Sequence, residues 1–495
     1  MSFLTITQEL LNKTLTENGD ASFVSTGSPC LDYFALIGGK RDDLPGAAAM
    51  FAKAFVEDPK TAVELLFYTR DPRAGIGERR LFRFLLNGLA LSYPEVAKPL
   101  LPFVAKYGRY DDLLALLHTP VEDEVIDLID ATLQEDLENK KAGKPITLLA
   151  KWLPSINTSN AEARHVGLYL AKKLGMGNEK YRKTLSFLRK GTIVESNLRE
   201  KDYTFDYAAV PSVAMMKYQK AFIRNDKERF GKYLTDVADG KEEMNVSVSS
   251  PVTLVHRYRE NNFENADYFE TTFEAFVKDG QIHKRTLVVR DGSGSMYCAN
   301  GGAPIDVADA MSLLTSARLS GEFHDKFITF SAKPELVDLS SAKTLKDKLF
   351  KLEAYNEVAN TNIEKVYDLI ADVYASPSFK GEDAIEQILI ISDMEFDGCV
   401  TDLEEGNLRF TFEAFDKRFA DMGKKRPEVI FWNVASRGQH VPVSKNEYGV
   451  KLISGSSKNI IDLVMNDDSL DPEKFMRSVL TAYEEVGNAI GEVKS

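Results

Sequence analysis

Cysteine is scarce: Cys30, Cys298 and Cys399 are the only three in 495 residues. They are odd in number and lack C-x-x-C spacing, so neither a disulfide framework nor a zinc site is expected, and a reducing compartment fits. There is no run of eighteen or more apolar residues, the length a spanning helix needs. The opening MSFLTITQELLNKTLTENGD has no basic stretch leading into an apolar run and a cleavage site. These absences predict a cytoplasmic protein without a membrane partner. The six histidines (His118, His165, His256, His283, His324 and His440) are scattered. No Ser-His-Asp order, paired carboxylates, phosphate loop or H-E-x-x-H is found, so a binding protein is expected rather than an enzyme. Positive charge is also in deficit, at a net −13, which taken whole argues against a nucleic-acid partner.

What is present is uneven. Residues 141–232 carry 19 Lys or Arg against 8 Asp or Glu, a local +11 set between acidic flanks. The bland reading is a series of solvated helix faces, and a charge concentrated this strongly makes a polyanion surface an equal contender. Apolar content of 44% suits a large globular core in two or three domains. The first half reads as consecutive helices. Asp58-Pro59 caps one that stops at Asp71-Pro72, and 78–91, 94–106, 110–117, 121–139, 161–174 and 178–190 follow, with Gly108, Gly175 and Gly191 at their ends. Helix pairs with short connections over roughly 200 residues suggest an irregular HEAT-like solenoid, with a plain helical bundle as the alternative.

Near residue 281 the period changes. Short β-branched or aromatic runs at 286–290, 326–330, 387–392 and 429–434 read as buried parallel strands. Helical segments at 306–319, 345–352 and 363–374 alternate with them, as in a doubly wound sheet, and Asp471-Pro472 caps a closing helix. Asp291-Gly292-Ser293-Gly294-Ser295 directly follows the first of these strands. Hydroxyl and carboxylate oxygens are hard ligands suited to a small divalent cation, and the glycines let alternate side chains aim inward. Alone the loop reads more readily as a flexible turn than as a metal site. Thr361, in a polar loop before a helix, and Asp393, at the end of the run 387–392, are expected at the same sheet edge.

With those elements in place the segment from Lys284 onward resembles the von Willebrand A domain and its metal-ion-dependent adhesion site, whose pattern is D-x-S-x-S, then a Thr, then an Asp after a later strand. The resemblance implies that Ser293, Ser295 and Thr361 contact the ion and that Asp291 and Asp393 bind directly or through water. The ion would be magnesium, with manganese or calcium as alternatives, and an open position would take a protein partner's acidic residue. Two departures stand out: Arg290 replaces an apolar residue at the strand end, and no glycines precede Thr361.

Upstream, Arg70-Asp71-Pro72-Arg73-Ala74-Gly75-Ile76-Gly77-Glu78-Arg79-Arg80 and Lys106-Tyr107-Gly108-Arg109-Tyr110-Asp111-Asp112-Leu113 resemble the TROVE module of the Ro autoantigen family. Ala150-Lys151-Trp152-Leu153-Pro154, Tyr181-Arg182-Lys183 and Val210-Pro211-Ser212 are similar to poorly characterised Ro-like relatives. The resemblance implies a HEAT-like helical solenoid or ring over 1–280, a von Willebrand A-type α/β domain over 284–495, and small noncoding or misfolded RNA, structured or single-stranded, as the partner. Arg73, Arg79, Arg80, Arg109, Lys151, Lys172, Lys173, Arg182, Lys183, Arg189 and Lys190 are the candidate RNA contacts. Each arginine could instead pair with a neighbouring carboxylate, and the aromatics Tyr107, Tyr110, Trp152 and Tyr181 fall at helical spacing that suits the core. The expected function is an RNA-binding scaffold. The alternative is a metal-dependent protein adaptor without RNA.

Overall fold

The computed structural model describes residues 11–15, 21–191, 193–297, 304–331, 333–355, 362–381, 384–394, 411–435, 440–469 and 471–491. Two short antiparallel strands, β1 (Lys13–Leu15) and β2 (Ala21–Phe23), precede the helices. Helices follow as α1 (Pro29–Leu36), α2 (Leu44–Glu57), α3 (Pro59–Arg70), α4 (Arg79–Ser92), α5 (Pro94–Ala97), α6 (Leu101–Tyr107), α7 (Glu122–Lys141), α8 (Leu149–Trp152), α9 (Ala161–Lys173), α10 (Asn178–Arg189), α11 (Val194–Glu200), α12 (Ser212–Asn225), α13 (Lys227–Ala238), α14 (Pro251–Glu260) and α15 (Ala266–Lys278). Local chemistry explains their ends. Asp58 accepts from the amides of Lys60 and Thr61 to start α3, and Asn160 accepts from Ala163 to start α9.

Two expected helices take another form. The segment 94–106 is α5, a 3-10 turn (Lys98–Leu100) and α6, because Pro99 and Pro102 each lack an amide for the helical ladder. The segment 110–117 is a 3-10 turn, Tyr110–Leu116.

The second part is an α/β domain: β3 (Thr286–Arg290), α16 (Pro304–Arg318), β4 (Lys326–Thr329), β5 (Leu336–Asp338), α17 (Leu345–Glu353), α18 (Ile363–Ala375), β6 (Gln387–Ser392), α19 (Thr411–Asp421), β7 (Glu428–Asn433), β8 (Val450–Ser454), α20 (Asn459–Asn466), α21 (Pro472–Leu480) and α22 (Glu484–Ala489). The six-stranded sheet runs β5-β4-β3-β6-β7-β8 and is parallel except for the edge strand β5. β5 and β8 were not anticipated. Chain order runs outward from β3 in one direction through β4 and outward from β6 in the other through β7 and β8. The switch point of the sheet therefore lies between β3 and β6, the place at which open α/β sheets take their ligands beyond the strand ends.

Alternate residues of each strand face opposite cores. Val289, Ile390 and Phe431 pack with α18 and α19 on one face. Val288, Leu389, Ile391 and Trp432 pack with α16 and α20 on the other, in an apolar cluster that continues unbroken through the helical part from Cys30 to Val486.

Both ends of the helical array rest on the α/β part. Near its start, Ser454 of β8 donates to the Phe34 carbonyl at 3.1 Å and accepts from the Gly38 amide at 3.0 Å. At its far end α14 is tied to α16 by ion pairs. The C-terminal helices return to α3 and α6, where Tyr107 donates to the Ala482 carbonyl at 3.0 Å and Tyr483 donates to Asp71 at 3.3 Å. No helix among the described residues is long and apolar enough to cross a membrane.

Candidate functional site

The two predicted aspartates lie at the switch point, at the ends of β3 and β6. β3 and β6 pair in register, Arg290 opposite Ile391, so Asp291 comes level with Ser392 and Asp393 follows one residue further on, each aspartate one residue past its own strand. Both are almost fully buried. The Asp291 carboxylate accepts from the Ser293 amide at 2.8 Å and from the Ser392 hydroxyl at 2.6 Å. The Ser293 and Ser295 hydroxyls lie 3.0 Å apart. Met394 has a left-handed φ of 67° and is buried. A non-glycine residue held this way is strained, and such strain concentrates at functional sites.

Two buried carboxylates at neighbouring strand ends repel. Burial first, then the charge of Asp393, pushes the Asp291 carboxyl up to about 6, against the lowering effect of its hydrogen bonds. A cation between them would reverse that balance. Hard oxygen donors of this kind, two carboxylates and two hydroxyls, are the set magnesium or manganese takes. Among the described residues no group of three or more His, Cys, Asp or Glu is placed to hold a metal, so an ion here depends on the serines. Thr361 lies outside the described residues. Its neighbour Asn362 caps α18 by accepting from Lys365 at 3.1 Å.

Two residues outside the predicted ligand set shape the site. Ser392 orients Asp291 and is detectable in sequence only as the residue before Asp393. Arg290, noted as an anomaly in a buried strand, is wholly buried, with Nε 2.7 Å and Nη2 2.6 Å from Asp309 of α16. The same Asp309 receives Arg259 of α14 at 2.6 Å. Arg259 also pairs with Asp306, which in turn contacts His256 at 2.8 Å. The end of β3, where the Asp291 loop begins, is thus joined to the helical part by an ionic chain that is wholly buried at Arg290 and Asp309.

The candidate RNA contacts fall into two groups. Lys172 and Lys173 end α9, and Arg182 and Lys183 open α10 after a turn of four residues, so all four share one end of that helix pair. Lys173 pairs with Glu122 and lies 3.7 Å from Asp123, and Lys183 pairs with Glu179 at 2.7 Å. Lys172, Arg182 and Lys190 are exposed and have no carboxylate partner among the described residues. Arg189 differs from them. Its guanidinium donates to the carbonyls of Ala150 at 2.7 Å and Leu153 at 2.6 Å and to the Ser155 hydroxyl at 2.5 Å, a structural clamp on α8 that leaves little of it for a ligand.

The second group surrounds α8 and the start of α4. The Arg109 guanidinium grips Asp111 at 3.0 and 3.1 Å and stacks on Trp152, 3.9 Å from the ring centre. Arg83 reaches both Asp111 and Asp112, at 2.7 and 2.6 Å, and buried Arg70 reaches Asp112 at 2.7 Å. Arg79, one helical turn before Arg83, is exposed and forms no ion pair among the described residues. Burial, then the charges of Arg109 and Arg83, lower its pKa. Lys151 lies 3.9 Å from Glu195 and 5.4 Å from the Trp152 ring centre. Arg73 is exposed, donates to the Lys106 carbonyl and lies 3.6 Å from Asp71. Arg80 pairs with Asp42 at 3.3 Å. Of the four aromatics, Tyr107 and Tyr181 are core residues and Tyr110 is half-buried against the core. Trp152 is half-exposed.

Residues 16–142 and 170–290 match the family described as domain of unknown function DUF2828. Residues 285–492 match a second, described as domain of unknown function DUF7788. Uncharacterized protein L728 of Acanthamoeba polyphaga mimivirus is 28% identical over 515 residues, covering 96% of this chain and 88% of that protein. Among solved structures, the Ro (RSR) protein of Deinococcus radiodurans is similar at 14% identity with a TM-score of 0.34, over 95% of this chain and 100% of that one.

Proposed function

We propose, for a chain that belongs to the DUF2828 family of domains of unknown function, that it is a non-catalytic RNA-binding scaffold built from a HEAT-like helical array and a von Willebrand A-type domain. The observation that carries this reading is the exposed basic end of the α9–α10 pair, where Lys172 and Arg182 stand without carboxylate partners among the described residues. Cations in this state attract phosphate without reading sequence, and each phosphate contact releases counterions and makes binding salt-dependent. The α/β domain holds one divalent cation, magnesium first, through Asp291, Ser293, Ser295, Thr361 and Asp393. With both ends of the helical array on that domain, it braces a ring or recruits a protein that offers a carboxylate to the ion.

Purification without nuclease at moderate salt, followed by the absorbance ratio at 260 and 280 nm and sequencing of bound RNA, tests the reading. Defined RNA that is lost in the K172E/K173E/R182E/K183E variant is the expected result. A nucleic-acid-free protein that also ignores added hairpins removes the RNA reading and leaves the metal-dependent adaptor.

A further inference from the structure

The arginine cluster around Trp152 holds more positive charge than its internal partners neutralise. Asp111 and Asp112 serve Arg70, Arg83 and Arg109, and Arg79 stands beside them without an ion pair among the described residues. Four guanidinium groups thus face two carboxylates. The repulsion that Arg79 feels from Arg83 and Arg109 is what a bound anion would relieve.

Trp152 adds an aromatic surface to that charge. Its ring is already one half of a stack with Arg109. Its indole N–H has no hydrogen-bond partner among the described residues, whereas that of the other tryptophan, Trp432, donates to the Gly455 carbonyl at 2.7 Å inside the core. A tryptophan with an unused N–H and a half-exposed ring is open to a ligand.

The support under Trp152 is rigid. Arg189 clamps the carbonyls on either side of it, and Asp136 accepts from the Thr147 amide and hydroxyl, both at 2.7 Å. The ring is therefore held in place before any ligand arrives, which lowers the ordering cost of binding.

We infer that this cluster is a single-nucleotide slot for single-stranded RNA: an unpaired base stacks on the half-exposed indole of Trp152 beside Arg109, and its phosphate lies against Arg79 and Arg83. The inference rests on the RNA-binding reading and places a second contact, with base stacking, apart from the α9–α10 end, which offers charge alone. Stacking tolerates any base, so the slot favours unpaired over paired strands and shows little sequence preference.

The tryptophan content makes the test direct. Only Trp152 and Trp432 are present, and Trp432 is fully buried, so a ligand-dependent change in tryptophan emission reports Trp152. The full chain is titrated at low salt with an adenylate hexamer carrying a terminal dye, whose anisotropy reports binding independently. The expected result is saturable quenching that follows the anisotropy, no quenching by an abasic hexamer, and a loss of affinity of about tenfold in W152L and at least as large in R79E. If W152L fails to fold by circular dichroism, R109K serves in its place, since it keeps the charge and Trp152 but removes the planar partner; quenching there falls by about half or more. Hexamer binding with unchanged emission, or equal affinity for the abasic strand, overturns the slot and leaves the RNA reading on α9–α10. No binding of hexamer or hairpin removes both.

Discussion

At Arg290 a guanidinium lies wholly inside the protein, held by Asp309, which also holds Arg259. Removing one member of such a set strands the others without solvent. Asp309→Ala is expected to lower stability by about 3–5 kcal/mol in urea unfolding, and the R290M/D309L pair, which removes the two wholly buried charges and leaves Arg259 on Asp306, to lose clearly less. Equal losses in the single and double variants would show that the ionic chain is incidental to stability. Glu64 offers a second test. Burial, then Asp58 and Glu484, push its carboxyl up to about 7 from 4.5. The folded state therefore binds the proton more tightly than the unfolded chain, and this residue's contribution to stability declines as pH rises from about 4.5 to 7. Glu64→Gln should gain about 1–2 kcal/mol on the wild type between pH 5 and pH 8, the full shift being discounted for partial solvent access. A pH-independent difference removes that account. If the loop Asp291–Ser295 takes the proposed cation, added magnesium or manganese should raise the melting temperature by the equivalent of about 2–3 kcal/mol at a hundredfold excess over Kd, and S293A/S295A should abolish the rise. The loop residues were legible as a motif, because ligand chemistry is local. The partners Ser392 and Asp309 were not, because each lies on a different element.

Among the elements, close approach matters most at Gly38. A Cβ there would lie 2.4 Å from the Gly455 nitrogen, backbone against backbone, where neither side can move aside. Gly38→Ala should therefore loosen the seam between the start of the helical array and β8. A stability loss of about 1–3 kcal/mol is expected, with faster amide exchange at residues 34–38 as the direct readout; unchanged exchange would contradict the close packing. The strands at 286–290 and 387–392 were recoverable from their β-branched runs, since burial on both faces demands them. β5 was not, because a three-residue edge strand with two exposed positions leaves too short a pattern. The division of 94–106 into α5, a 3-10 turn and α6 follows from two prolines whose consequence depends on where the chain can turn.

For the whole molecule, the apolar cluster that runs from Cys30 to Val486 links parts that are separate in sequence. A chain ending at residue 470 would lose the buried side chains Phe475, Met476 and Tyr483 and uncover the α3 surface they protect. Burying three such side chains is worth about 5–9 kcal/mol, comparable to the net stability of a domain. Such a truncation should lose cooperative unfolding in both parts, and the segment 284–495 expressed alone should bind a hydrophobic dye; a folded, dye-free fragment would show that the parts are independent. Periodicity, caps and strand composition determined, from sequence alone, that helices precede an α/β sheet and that Asp291, Ser293 and Ser295 form one loop, because these are properties of neighbours along the chain. Only the tertiary structure decided that Ser392 donates to Asp291, that Arg290 is neutralised from α16, that Arg189 is a clamp while Arg182 is exposed, and that the C-terminal helices lie on α3. Those outcomes turn on which distant surfaces exclude water together, and no local pattern encodes that.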